Sequence, residues 1–194
     1  EACLVGSEMC IRDRPWTPGF DTAFQNRFGY DLTQYMPQLD SFPDVRYDYM
    51  QLLSDYVIEE FYKPLTKVSH DLGAFSRVQC LASPTDLMEA CAHVDVPESE
   101  AMLNEPNFAK IMASAACLAG KKDVSAETFT CMYGFPKILR GEEQTADLKL
   151  VVDAMFANGV NQIFWHGTPY NPEGIDSFYF FATVHAGQNG ELTE

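Results

Sequence analysis

Glu127 has the neighbours a catalytic carboxylate needs. It follows Val124-Ser125-Ala126, small and β-branched residues suited to a crowded strand, and Phe129 stands two positions later. A carboxylate at the C-terminal end of a strand, inside an apolar and aromatic mouth, has its charged form desolvated, which raises its pKa toward the acid/base range. The competing reading is an ordinary solvated loop glutamate. Asp95, Glu98 and Glu100 put three carboxylates into six positions. Such a group repels itself unless a cation or a shared proton relieves it, and hard oxygen donors suit Ca²⁺. Their spacing is not that of an EF-hand, and acidic residues near the start of a following helix, stabilised by its dipole, would look the same. His166, in Trp165-His166-Gly167-Thr168-Pro169-Tyr170, suits either a hydroxyl or leaving-group contact or a satisfied loop position. Arg77 and Gln79 flank Val78, so both face one side of a strand, lining either a site or a set of paired polar groups. The run Ser69-His70-Asp71 is not a catalytic triad, because adjacent helical residues point in different directions.

These residues need elements to hold them, and the pattern supplies alternating helices and strands. Apolar residues at Leu52, Leu53, Tyr56, Val57, Phe61 and Leu65 predict a helix over 48–65, with Pro64 near its end and a second helical stretch running on to His70. The opening around Trp16-Thr17-Pro18-Gly19-Phe20 reads as irregular. After Gly73, residues 75–80 read as a strand and 84–93 as a helix. Val94-Asp95-Val96 reads as a strand stub and Pro97-Glu98-Ser99-Glu100 as an acidic loop. Residues 107–119 form an Ala-rich helix capped by Gly120, 123–129 a strand, 145–157 a helix stopped by Asn158-Gly159, and 161–166 a strand. Four strands separated by helices imply an α/β fold with a parallel sheet. The polar candidates cluster just after the strands, where a (β/α)8 barrel carries its active face. Aromatic residues near those ends, Trp16, Phe129, Tyr133, Trp165 and Tyr170, offer flat faces of the kind that stack on sugar rings, although core packing is the default for each.

A closed (β/α)8 barrel takes roughly 250 residues, and this chain has 194. The expectation is therefore a truncated barrel, about half of one. Residues 1–14 have neither helical nor strand periodicity and resemble translated sequencing-adapter read-through. They are set aside as a non-native segment, leaving 15–194 as a partial catalytic domain. With 28 acidic against 13 basic side chains the formal charge is −15, which excludes a nucleic-acid role built on neutralising phosphates. A hydrophobic fraction of 46% is ample for a core, and no apolar window is long enough to span a membrane. Cys80, Cys91, Cys117 and Cys131 form no C-x-x-C pair. Three of them lie in apolar periodic segments, where a buried free thiol is the simplest reading.

Taken together, several blocks resemble glycoside hydrolase family 106, the α-L-rhamnosidases. They are Asn26-Arg27-Phe28-Gly29-Tyr30-Asp31-Leu32 with Tyr35-Met36-Pro37, Ser69-His70 with Arg77-Val78-Gln79, and Asp95-Val96-Pro97-Glu98. Further on stand Val124-Ser125-Ala126-Glu127-Thr128-Phe129 and Gly159-Val160-Asn161 with His166-Gly167-Thr168-Pro169-Tyr170. The blocks occur in family order across nearly all of 15–194. The resemblance implies an inverting, calcium-dependent exo-hydrolase, secreted or periplasmic, that releases L-rhamnose from plant-type glycans and belongs to a longer chain with other domains. Glu127 matches the family's general base. Glu98 matches an acidic position assigned to substrate or calcium, with Asp95 and Glu100 as further calcium ligands. Arg77, Gln79, Trp165, His166 and Tyr170 are the expected substrate contacts. Two departures stand out. An Asp-Ser-Trp-Glu-like stretch bearing the general acid is expected upstream of residue 15, so the chain as given is expected to be inactive alone. Cys80 stands where a small residue or the start of a His-Gly pair is expected. Two alternatives stay open: a retaining glycosidase of similar barrel, whose carboxylates lie about 5–5.5 Å apart rather than 6.5–9.5 Å, and a carbohydrate-binding pseudoenzyme.

Overall fold

The computed structural model describes residues 14–81, 83–101, 106–129 and 145–166. Its centre is a four-stranded parallel sheet in the order β1 (Arg77–Gln79), β2 (Val96–Glu100), β3 (Ser125–Thr128) and β4 (Gln162–Trp165). Helices α4 (Leu87–Ala92), α5 (Ala109–Leu118) and α6 (Thr145–Ala157) connect successive strands. This is the α/β expectation with its parallel sheet. β1, β3 and β4 are shorter than the sequence patterns, because only the central residues of each find ladder partners.

Three features depart from the sequence reading. Residues 97–100 are not a loop but most of β2, which pairs with strands on both sides, Pro97 lying opposite Val78 and Glu100 opposite Glu127. Proline and clustered carboxylates argue against a central strand on local grounds, yet burial on both faces wins. The opening at 16–19 is irregular as expected, but the residues after it form a helix that the pattern did not announce, α1 (Phe20–Phe28), packed on α2 (Pro43–Val57). Phe20, Phe24, Leu32, Leu39, Tyr49, Leu52 and Leu53 form a separate aromatic-rich core there. Arg14, inside the segment set aside above, joins this body through hydrogen bonds to the Met36 carbonyl at 2.6 Å and to Asp40 at 3.0 Å. Finally, the predicted helix runs unbroken from 43 to 71. It widens into a π turn at Ile58–Tyr62 before α3 (Lys63–Asp71). Pro64 explains the widening: lacking an N–H and crowding the preceding turn, it is tolerated only where the α-helical ladder is interrupted.

The main core lies between the sheet and its helices. Val78, Ala126 and Ile163 from the strands meet Ala90, Cys91, Met112, Ala115, Val151 and Met155. At the end of α6, Gly159 holds a left-handed backbone (φ +97°), and a Cβ there would lie 2.6 Å from that of Ala113. Glycine therefore sets how closely α6 approaches α5. Cys80 and Cys91 are buried, whereas Cys117 is exposed, unlike the expectation for an apolar helix position; Cys131 lies outside the described residues. Among the described residues no helix is long and apolar enough to cross a membrane.

Candidate active site

Strand alternation decides which side chains share a face. Residues paired across a parallel ladder point the same way, so one face carries Arg77, Gln79, Glu98, Glu100, Ser125, Glu127 and Phe164. The opposite face carries the apolar residues that meet the helices. Gln79 and Glu100 close their strands, Glu127 is the penultimate residue of β3, and His166 directly follows β4. Gln79, Glu100, Glu127 and His166 therefore sit at the C-terminal ends of the strands, with Arg77, Glu98 and Ser125 nearer the strand starts.

Gln79 links the group. Its side-chain nitrogen donates to Glu127 Oε2 at 2.6 Å and lies 3.5 Å from Glu98 Oε1. Because β1 and β3 are separated by β2, this long side chain reaches across the intervening strand. Glu98 Oε2 accepts a hydrogen bond from Ser125 Oγ at 2.7 Å and lies 3.2 Å from the Arg77 guanidinium. With 7% of its surface exposed, Glu98 is a nearly buried carboxylate, and these donors supply what water no longer can. The Arg77 guanidinium also sits 3.4 Å above the Phe164 ring centre, so its charge is shared between a carboxylate and an aromatic face. His166 Nε2 lies 3.5 Å from Glu127 Oε1. His166 Nδ1 is buried with no hydrogen-bond partner among the described residues. The group thus offers a carboxylate fixed on one oxygen by a carboxamide, with an imidazole beside the other.

The structure gathers Arg77, Gln79, Glu98, Glu127 and His166, but it separates other sequence candidates from them. Trp165 alternates to the far side of β4 and stacks on Phe129, ring centres 4.5 Å apart. Phe129 has φ +71°, and this left-handed turn ends the alternation of β3, so its ring is buried in the main core. Trp16 stacks on Phe20 in the helical body. Tyr133 and Tyr170 lie outside the described residues.

Asp95, Glu98 and Glu100 do not form the expected metal-ligand set. Asp95 precedes β2 at the opposite end of the strand. There it accepts hydrogen bonds from the Ser76 N–H at 2.7 Å and the Ser76 hydroxyl at 3.0 Å, and it lies 2.9 Å from His70 Nε2. Glu98 is committed to Arg77 and Ser125. Among the described residues no group of three His, Cys, Asp or Glu side chains is arranged to hold a metal ion. Ser125 and Phe164 went unread in the sequence, although counting in twos from Glu127 and His166 puts both on the polar face.

A family model described as alpha-L-rhamnosidase matches residues 7–176, a match that starts within the segment set aside as non-native. A Formosa agariphila protein described as "Putative beta-glucuronidase" is 27% identical over 181 residues, covering 88% of this chain and 15% of its own length. The structure of a rhamnosidase from Novosphingobium sp. PP1Y is similar in fold, with a TM-score of 0.62 and 24% identity. That likeness covers 79% of this chain and 16% of the other. The chain thus spans about one-sixth of the length of these relatives.

Proposed function

The chain belongs to the alpha-L-rhamnosidase family of glycoside hydrolases, and from that premise we propose that it forms part of a (β/α)8 barrel in an inverting exo-α-L-rhamnosidase. In this reading the whole protein is secreted or periplasmic and removes terminal α-L-rhamnosyl groups from plant-type glycans. The observation that carries it is Glu127, presented at the end of β3 with Oε2 held by Gln79 and His166 close to Oε1.

Glu127 serves as general base. It takes a proton from a water molecule as that water attacks the anomeric carbon on the face opposite the leaving oxygen. Gln79 keeps the carboxylate from turning, so the basic lone pair stays aimed where the water sits. His166 and Tyr170 contact sugar hydroxyls, while Arg77, Glu98 and Ser125 form the polar floor that orients Gln79. The general acid is supplied by residues other than these. Calcium, implied by the family resemblance, does not fit the set Asp95, Glu98 and Glu100. An ion at this site would need donors from outside the described residues, and no step here passes through it.

One comparison concerns the sugar. A glucuronide carries a carboxylate that needs a cation at its C6 group. Arg77 is the only Lys or Arg within the described strands, and it already faces Glu98 and Phe164. This favours a neutral deoxy sugar over a uronic acid. The test is hydrolysis by the whole protein of aryl α-L-rhamnoside against aryl β-D-glucuronide, with the first-formed anomer read by NMR. The expected result is rhamnose released initially as the β-anomer; preferential glucuronide cleavage, or initial release of α-rhamnose, would overturn the reading.

A further inference from the structure

Tyr47, Met50, Gln51 and Ser54 stand at positions i, i+3, i+4 and i+7 of α2, so they share one face of that helix. Opposite them are Asp86, the N-cap of α4, and Glu89 in its first turn, and the two elements enclose a cleft of about 240 Å³. That is just under the roughly 300–1,000 Å³ of a drug-sized site, which leaves room for one small ring. Ser54 fastens the floor, its hydroxyl oxygen accepting a hydrogen bond from the Asp86 N–H at 2.8 Å. Only 7% of Ser54 is exposed, yet among the described residues its O–H donates to no acceptor. A buried hydroxyl in that position is costly unless something in the cleft accepts from it. At the mouth, Tyr47 is 67% exposed and Met50 is exposed on the same helix face. Among the described residues Tyr47 stacks on no other ring.

We propose that this cleft is a second binding site, separate from Glu127, for one neutral sugar ring. A sugar ring presents C–H faces that pack on apolar groups and hydroxyls that need hydrogen-bond partners. The cleft supplies both. Tyr47 and Met50 form the apolar wall. Gln51 both donates and accepts, Glu89 accepts, and the Ser54 hydroxyl donates. Charge selects a neutral ligand. No Lys or Arg lines the cleft, so an anion would meet only carboxylates. A cation finds less than the number of carboxylates suggests, because two of them have work within the fold. Asp55, which also lines the cleft, is paired with Arg27. Asp86 accepts from the Glu89 N–H at 3.1 Å. Glu89 keeps its carboxylate for a ligand. The cleft adjoins α4, whose Ala90 and Cys91 belong to the helix layer, whereas Glu127 lies on the other face of the sheet. A ring held here therefore does not touch the reacting bond. The site depends on neither the sugar nor the reaction assigned above, so either can fail without the other.

The test is methyl NMR on the whole protein labelled at its methionine methyl groups, with the Met50 signal assigned by its loss in Met50→Leu. The probes are methyl α-L-rhamnopyranoside and methyl α-D-glucopyranoside, with butylammonium chloride as the cationic control. The expected result is a saturable shift of the Met50 signal with at least one glycoside. Tyr47→Ala, which removes an exposed side chain, should abolish that shift and leave turnover of aryl α-L-rhamnoside at the wild-type rate. No shift with either glycoside, a shift with butylammonium alone, or an undiminished shift in Tyr47→Ala would overturn the proposal.

Discussion

At the scale of single residues, the position of one carboxylate depends on a carboxamide two strands away. Gln79 holds Glu127 at 2.6 Å, and losing that bond lets the carboxylate shift from its place. Misplacement by about 1 Å costs up to about 10²-fold in rate. In the whole protein Gln79→Ala should therefore lower kcat by about 10–100-fold with KM little changed; a rise in KM at constant kcat would instead make Gln79 a plain sugar contact. Arg77 has a different role. Glu98 is nearly buried, and Arg77 is its cationic partner at 3.2 Å. Arg77→Met keeps much of the packing on Phe164 but leaves the carboxylate without its counter-charge. Because the Arg77 side chain is one-third exposed, the loss is smaller than for a fully sealed pair, about 1–3 kcal/mol in chemical denaturation. Unchanged stability would mean that Ser125 and Gln79 suffice for Glu98.

At the scale of elements, the two ends of β2 do different work. Burial pushes the Asp95 carboxyl up, but the Ser76 N–H and hydroxyl and the neighbouring His70 together hold it below the ordinary aspartate range. The unfolded chain therefore takes up this proton first as pH falls. The stabilisation is complete above the unfolded value of about 3.9 and disappears as pH drops through the lower folded value. Wild type and Asp95→Asn should differ in urea midpoint at neutral pH and converge in acid; a constant gap would remove Asp95 from the acid response. Gly159 and Gly73 form a matched pair. Both have positive φ, but only at Gly159 does an added Cβ meet a neighbour. Gly73→Ala should cost about 1 kcal/mol from backbone strain alone, and Gly159→Ala clearly more because α5 and α6 must separate. Equal losses would contradict the close approach. These elements also show what was legible. The strands at β1, β3 and β4 and the helices at α5 and α6 announced themselves by period and by glycine stops. In β2, Pro97 and its carboxylates mimic a loop, and only pairing on both edges makes it a strand. Helix α1 was hidden because part of its order comes from Phe20 packing on Tyr49 and Tyr56, rings distant in sequence. Within the site, Glu127, Gln79 and His166 could be read from strand ends. The separation of Asp95 from Glu98 could not, because it depends on where the strand starts.

At the scale of the whole molecule, the sheet has two edges, β1 and β4, without further partners among the described residues. In the segment that leads into β1, Phe61, Val68, Leu72 and Phe75 are exposed apolar side chains. In the proposed barrel, further strands would pair with both edges. Amides of β1 and β4 should then exchange hydrogen more slowly in the whole protein than in the 194-residue chain, and equal exchange would argue for an open sheet. The charge of −15 fits a protein that binds an uncharged sugar and repels polyanions. Turnover by Glu127→Gln in the whole protein, with rhamnose binding measured alongside by calorimetry, tests the role of Glu127 as general base. The kcat is expected to fall by about 10²–10⁴-fold while sugar affinity stays within a few-fold of wild type. Turnover at the wild-type rate with binding intact would contradict it.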